Sequence, residues 1–174
     1  RRNNDELVAT YGNFVHRILT MIHRNFDGKV PANTNQDDTS KMLLDEATQK
    51  FTDTGAYLEV CKFRLAIQSA MTLAQAGNRY LEKRAPWHAV KTDREHAAVT
   101  LSTGLAIINC LKTLFYPFLP FSSDKLHRML GLTGDVQSSG WHWDPNELVA
   151  GSKIEKPEAL FIKLDESVIT KESN

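Results

Sequence analysis

Two polar side chains near the start of the chain could recognise an unpaired nucleobase. Asn13 and Arg17 are four residues apart, so on a helix they are neighbours on one face. An amide beside a guanidinium offers donors and an acceptor at a fixed separation, which suits reading the Watson–Crick edge of a base. The alternative is an ordinary solvated polar face, which every amphipathic helix has.

An aromatic side chain that could stack on such a base is Trp87, in the segment Ala85-Pro86-Trp87. Proline fixes the backbone there, and we expect the indole to be displayed on a loop after a long helix. A rigidly held, exposed aromatic ring is a stacking platform for a splayed-out base. The alternative is that Trp87 packs under the loop as core, since tryptophan is usually largely buried.

Motifs that carry catalysis or bind a metal are not evident in the sequence. The six histidines do not pair with one another or with cysteine at a metal-ligand spacing. The sequence also has no phosphate-cradling Gly-rich loop, nucleophile elbow or zincin motif. We therefore expect the chain itself not to be an enzyme. Trp141-His142-Trp143 is interpreted as a pair of aromatic anchors rather than a binding cage.

Hydrophobic periodicity predicts an all-α bundle of about five helices that would position these residues. The helices are predicted at residues 4–25, about 40–51, 56–84, 93–116 and 122–130. Breaks are expected at Asp53-Thr54-Gly55 and at Pro86. The fourth helix is apolar around most of its circumference, which predicts a central, buried position. On the first helix, Asn13, Arg17 and Arg24 lie opposite the apolar stripe.

The whole chain is predicted to divide into two parts. Residues 1–132 would form the bundle, and residues 133–174 an irregular C-terminal tail that packs on the bundle or toward a neighbouring domain. Residues 1–140 carry 17 Lys and Arg against 14 Asp and Glu, whereas residues 141–174 carry 4 against 7. The mildly basic body permits RNA binding without demanding it.

Composition sets further limits on the class of protein. The 174 residues, 41% of them hydrophobic, are enough for one domain with a core. No run of about 18 apolar residues occurs, so we expect no membrane span. Cys61 and Cys110 are flanked by apolar helical sequence and are expected to be buried and reduced, as in a cytosolic protein. The opening Arg1-Arg2-Asn3-Asn4 is interpreted as the start of an excised piece of a longer protein.

Several segments, in this order along the chain, resemble the anticodon-binding domain of methionyl-tRNA synthetases. The resemblance covers essentially the whole chain. Its most specific part is the combination of Asn-x-x-x-Arg on the first helix with Ala-Pro-Trp. The segments that carry it are Asn13–Arg17, Arg24–Gly28, Ala76–Tyr80, Ala85–Trp87, Pro117–Pro120 and Ile154–Phe161.

The resemblance implies roles for individual residues. In that family the Asn and Arg of the first helix read the first anticodon base, a cytosine, and the Trp stacks on anticodon bases. Those roles would fall to Asn13, Arg17 and Trp87. The supporting residues would be Arg24, Asn78, Arg79 and Pro86. Of these, we expect Asn78 and Arg79 to support the fold rather than to contact RNA.

The resemblance also implies the partners of the chain. It would bind the CAU anticodon loop of methionine tRNA in the cytoplasm, without a cofactor of its own. The complete enzyme would use ATP and magnesium on a catalytic domain whose His-Ile-Gly-His and Lys-Met-Ser-Lys-Ser signatures do not occur here. That catalytic domain would be the second partner, with the tail docked toward it. Neither DNA nor a membrane is expected as a partner.

Two other interpretations remain open at this point. One is the anticodon-binding domain of a sibling class I synthetase, for isoleucine, valine or leucine. The other is a helical protein-interaction module in which Trp87 and the aromatic tail anchor a partner. The zero net charge is compatible with the second.

Overall fold

The computed structural model describes residues 3–162 of the chain, with side chains from residue 7 onwards. A π-helical segment, Asn3–Gly12, leads into the first α-helix. The α-helices are α1 Asn13–Asn25, α2 Asp38–Glu59, α3 Phe63–Arg84, α4 Pro86–Thr92, α5 Arg94–Phe115, α6 Pro120–Met129 and α7 Val136–Ser139. Residues 3–162 contain no β-strand and only one isolated antiparallel bridge, so the expected all-α bundle is confirmed.

Helix α5 is the centre of the bundle, as its apolar circumference predicts. It contacts α1, α2, α3, α4 and α6. It is long and apolar enough to cross a membrane, but 94% of its apolar window is buried inside the bundle, so it is a core helix. Its N-terminus is capped by Asp93, whose Oδ1 accepts from the His96 N–H at 3.0 Å. Burial raises the pKa of the Cys110 thiol on this helix.

The break expected at Asp53-Thr54-Gly55 is wrong, because α2 continues through these residues to Glu59. Gly55 faces the indole of Trp141, and a Cβ at Gly55 would lie 3.1 Å from Trp141 Nε1. Trp141 in turn stacks on Phe51 of the same helix, with ring centroids 4.9 Å apart. Packing of the tail on α2 therefore outweighs the low helix propensity of this segment.

The chain instead reverses at Val60–Lys62, between α2 and α3. Cys61 holds a left-handed backbone there, with φ of 56°, and its side chain is exposed. Two hydrogen bonds close the turn, from Cys61 N to Leu58 O at 3.0 Å and from Lys62 N to Tyr57 O at 2.8 Å. The expectation that Cys61 is buried is wrong, because the residue lies in a surface turn and not inside a helix.

Helix α1 packs in close contact with α3 and α5 at two glycines. A Cβ at Gly77 would lie 2.5 Å from Cζ of Phe14, and a Cβ at Gly104 would lie 2.3 Å from Cδ1 of Ile18. At both positions a Cβ would force the neighbouring side chain to shift, and Phe14 and Ile18 are fully buried. The two glycines thus fix how close α1 lies to its neighbours.

The described part of the tail packs back on the bundle. Trp143 donates its Nε1–H to the Ala106 carbonyl of α5 at 3.0 Å. Ile154 is fully buried, and its N–H bonds to Gly28 O at 2.8 Å, beside the bridge between Lys29 and Lys153. The aromatic residues therefore act as anchors, as expected. Residues 163–174 lie outside the described residues, so the division at 132/133 stays a prediction.

Substitution of Gly77 by alanine is expected to destabilise the fold. Overpacking against Phe14 costs about 1–3 kcal/mol, and it outweighs the roughly 1 kcal/mol by which alanine favours a helix. Chemical denaturation should therefore give a lower free energy of unfolding than for the native chain. Gln75→Ala, at an exposed site on the same helix, is the control and should change it little. An equal or raised stability of Gly77→Ala would show that Phe14 can move away from position 77 at little energetic cost.

Candidate nucleic-acid interface

The predicted recognition face of α1 lies beside the second half of α3. Asn13 approaches Asn78, and Arg17 approaches Glu82, across the two helices. Both pairs are separated by 65 residues in the chain. The two helices therefore run in the same direction over this stretch, and their i,i+4 pairs face each other.

Arg17 is held between a carboxylate and an aromatic ring. Its Nη1 donates to Glu82 Oε1 at 2.7 Å, and its guanidinium carbon lies 5.1 Å from the centre of the Trp87 ring. The Arg17 side chain is 27% exposed and that of Glu82 is 60% exposed. An ion pair this exposed adds under about 1 kcal/mol to stability, so its main effect is to fix the direction of the guanidinium.

Trp87 lies in the first turn of α4, and the expectation of a loop there is wrong. Ala85 ends α3 in a left-handed conformation, with φ of 42° and ψ of 54°. Pro86 then occupies the first position of α4, where proline is preorganised for a helix, so the next helix starts without a loop. The indole is half-buried against the core, with the rest of its surface open to solvent. Its position thus combines the core and the platform interpretations.

Asn78 links α3 to the segment that precedes α1. Its Nδ2 donates to Thr10 O at 3.0 Å and to Ala74 O at 3.1 Å. Its Oδ1 faces Nδ2 of Asn13 at 3.5 Å. Asn78 is half-buried, whereas Asn13 is exposed.

The structure therefore brings Asn13, Arg17 and Trp87 onto one surface, together with Asn78. Arg24 and Arg79 are exposed, and neither has an ion-pair partner within residues 7–162. Pro86 is buried at the start of α4. The same described residues hold no group of three or more His, Cys, Asp and Glu side chains placed to bind a metal ion.

Glu82 is a residue of this face that the spacing on α1 does not predict, although the sequence contains a signal for it. Asn78 and Glu82 are themselves four residues apart on α3 and match the spacing of Asn13 and Arg17. Two i,i+4 polar pairs of complementary chemistry can face each other only if their helices run side by side. That arrangement is a tertiary property, which a single helical pattern does not reveal.

A second missed group is the polar network that holds the end of α3, immediately before Trp87. Arg84 forms an ion pair with Asp37, and its Nε donates to Thr100 Oγ1 at 3.2 Å. The Arg84 carbonyl lies 3.1 Å from Nε2 of His96. Asp37 also caps α2, since its Oδ1 accepts from the Ser40 N–H at 2.9 Å. The network thus joins the ends of α2, α3 and α5.

The environment of Asp37 lowers its pKa. Partial burial alone would raise the pKa, but the Ser40 N–H and hydroxyl and the Arg84 guanidinium stabilise the carboxylate and together outweigh burial. The charged form is therefore the one that the fold prefers.

Comparisons with known proteins give a consistent result. A family model described as the anticodon-binding domain of methionyl tRNA ligase matches residues 30–172. A methionine–tRNA ligase of Roseiflexus sp. (strain RS-1) is 40% identical over 99% of the chain, and one of Dehalococcoides mccartyi (strain ATCC BAA-2266) is 45% identical over 99%. The chain covers 33% and 31% of these relatives, so it spans about a third of their length.

Solved structures share the fold. The apo form of Mycobacterium tuberculosis methionyl-tRNA synthetase superposes with a TM-score of 0.86 over 94% of this chain and 34% of that chain, at 22% identity. The same enzyme in complex with methionyl-adenylate superposes with a TM-score of 0.85. The superposition covers 93% of this chain and 32% of that chain, at 23% identity. At this level of identity the likeness concerns the fold alone.

Neutralising Asp37 is expected to make the fold less stable in a pH-dependent way. Because the pKa is lower in the folded state than the unfolded value of about 3.9, the carboxylate stabilises the fold above about pH 4 and loses this effect at lower pH. Asp37→Asn keeps an acceptor for Ser40, so it should lower the free energy of unfolding by about 1 kcal/mol or less near pH 7.

The measurement is urea denaturation between pH 7 and pH 2.5. The difference in the free energy of unfolding between the native chain and Asp37→Asn should shrink as the pH falls below about 4. Asp38→Asn serves as the control, since that neighbouring carboxylate is 97% exposed. A difference that stays constant down to pH 2.5 would mean that the charge of Asp37 does not stabilise the fold.

Proposed function

The chain belongs to the methionyl-tRNA ligase family, as its anticodon-binding domain, and we propose that it binds the CAU anticodon loop of methionine tRNA. The observation that carries this proposal is the contact between Arg17 and the ring of Trp87, with Asn13 one turn away on the same face. A stacking surface and a set of directed hydrogen-bonding groups are what recognition of an unpaired base requires.

Trp87 would supply the part of the affinity that does not depend on sequence. Bases of an anticodon loop can unstack and lie on an aromatic face. The first turn of α4 and the core behind the indole hold the ring in place before RNA arrives, so little rotamer entropy is lost on binding.

Asn13 and Arg17 would supply the discrimination at the first anticodon base. A guanidinium has five N–H donors, so Arg17 can keep its bond to Glu82 and direct other donors at the O2 and N3 acceptors of cytosine. A base with a donor in place of N3 would leave a desolvated N–H of Arg17 unpaired. The exposed guanidinium groups of Arg24 and Arg79 are suited to neutralise backbone phosphates.

The proposal places this chain inside a longer cytoplasmic enzyme. The chain spans about a third of its curated relatives, which are named methionine–tRNA ligases. The remaining two thirds would hold the catalytic domain that attaches methionine to the bound tRNA with ATP and magnesium. This chain would contribute the choice of tRNA and no chemical step.

Replacing Trp87 by alanine should weaken binding of a CAU anticodon stem-loop by about 1–3 kcal/mol, because a base-stacking surface is lost. The affinity is measured by titration, followed by chemical shifts, with a GAU stem-loop of the same length for comparison. Trp141→Ala removes a half-exposed indole that stacks on Phe51, away from this surface, and is the matched control.

The native chain should prefer CAU over GAU, and Trp141→Ala should keep both affinities. Equal weak binding of both stem-loops would reduce the proposal to a generic RNA-contacting bundle. Absence of binding to either by the folded chain would count against the proposal and favour a protein-interaction module.

Replacing Arg17 by lysine should reduce the preference for cytosine although the charge is kept. The ammonium group is a point charge without a planar fork, so it cannot hold two directed hydrogen bonds to one base edge. We expect the CAU preference to fall by on the order of 1–2 kcal/mol in the same titration. A preference equal to that of the native chain would mean that Arg17 acts only as a counter-charge to phosphate.

A further inference from the structure

The amide of Asn78 has a fixed orientation. Its Nδ2 donates to the carbonyl oxygens of Thr10 and Ala74, at 3.0 and 3.1 Å. Backbone carbonyls only accept hydrogen bonds, so the NH₂ group must point at them. A flipped amide would set its oxygen against two other oxygens and lose both bonds. The Oδ1 of Asn78 therefore faces outward, toward α1.

The orientation of Asn78 favours one orientation of Asn13. An acceptor at 3.5 Å from the Asn13 amide attracts its NH₂ group and repels its oxygen. Asn13 is exposed and on its own could present either end of its amide to a ligand. With Nδ2 turned toward Asn78, the end left for a ligand is Oδ1, an acceptor.

We propose that Asn78 is a positioning residue that strengthens the selection of cytosine over uracil at the first anticodon base. The inference rests on the proposed function. Cytosine carries an amino donor at C4, which matches the outward Oδ1 of Asn13, whereas uracil carries an acceptor oxygen there. In this proposal Asn78 acts through Asn13, because its amide hydrogens bond Thr10 O and Ala74 O and its Oδ1 faces the Asn13 amide.

The polar groups on this face divide into two pairs with matched roles. Asn78 holds Asn13, and Glu82 holds Arg17, in both cases from α3 to α1. The outward acceptor of Asn13 lies one turn from the donors of Arg17 on the same helix face. An acceptor followed by donors is the complement of the cytosine edge, which offers a donor followed by acceptors.

The test compares the affinities of CAU and UAU stem-loops for the native chain and for Asn13→Ala, Asn78→Ala and the double variant. Asn78→Ala should lower the CAU-to-UAU affinity ratio by roughly fivefold, since one directed hydrogen bond is lost. Asn13→Ala should lower it similarly, and the double variant should show no further loss. Thermal unfolding of each variant reports damage to the fold. Such damage would weaken the binding of both stem-loops equally.

A rescue variant separates positioning from a merely structural role. Asn13→Asp carries acceptors on both oxygens, so it presents an acceptor whichever way it turns. In the Asn78→Ala background, Asn13→Asp should restore the preference for CAU. If Asn78→Ala does not fold, Asn78→Ser replaces it, because its hydroxyl still bonds the carbonyl four residues earlier but is too short to reach Asn13.

The outcomes distinguish this inference from the proposed function. A native chain that shows no preference for the CAU stem-loop over either the UAU or the GAU stem-loop would overturn both this inference and the proposed function. A native preference for CAU that survives Asn78→Ala would overturn the role of Asn78 alone. So would a loss that recurs in the Asn13→Ala background, or one that Asn13→Asp fails to restore.

Discussion

The close packing of α1 on α3 and α5 is the constraint on which the candidate interface depends. At Gly77 and Gly104 the side chains of Phe14 and Ile18 come nearer to the neighbouring backbone than any Cβ would permit. This contact sets the distance between α1 and α3 and, with the buried apolar stripe, their register. Only in that register does Asn13 lie against Asn78 and Arg17 against Glu82. Apolar packing thus decides which polar groups meet at the surface.

The polar contacts in turn hold Asn13, Arg17 and Trp87 in place. Trp87 is backed by the core and flanked by the guanidinium of Arg17, and the end of α3 is held by Arg84 and Asp37. Groups that are already ordered lose little conformational entropy when they bind, which favours both affinity and discrimination. The exposed ion pair between Arg17 and Glu82 contributes little to stability, so its main effect is to orient the guanidinium of Arg17.

Several elements could be predicted from the sequence because their signals are local. The apolar circumference of α5 and the apolar stripe of α1 are each contained within one helix. The errors have tertiary causes. The packing of Trp141 keeps Gly55 inside α2, and the surface turn at Cys61 depends on where that helix finally ends. For the site, spacing predicted the shared face of Asn13 and Arg17, but their partners on α3 depend on helix packing. The roles of these residues in tRNA recognition stay predictions.

The junction at Ala85 implies a compromise between stability and fidelity. A left-handed backbone costs an alanine about 1–2 kcal/mol relative to glycine, which adopts it freely. Glycine would remove this strain, but it would also let the backbone swing at the one residue that joins α3 to α4. The direction of the indole would then vary with thermal motion, and the distance from Trp87 to Arg17 would vary with it. In this chain a small loss of folding energy accompanies a narrow range of angles at the surface proposed to distinguish one base from another.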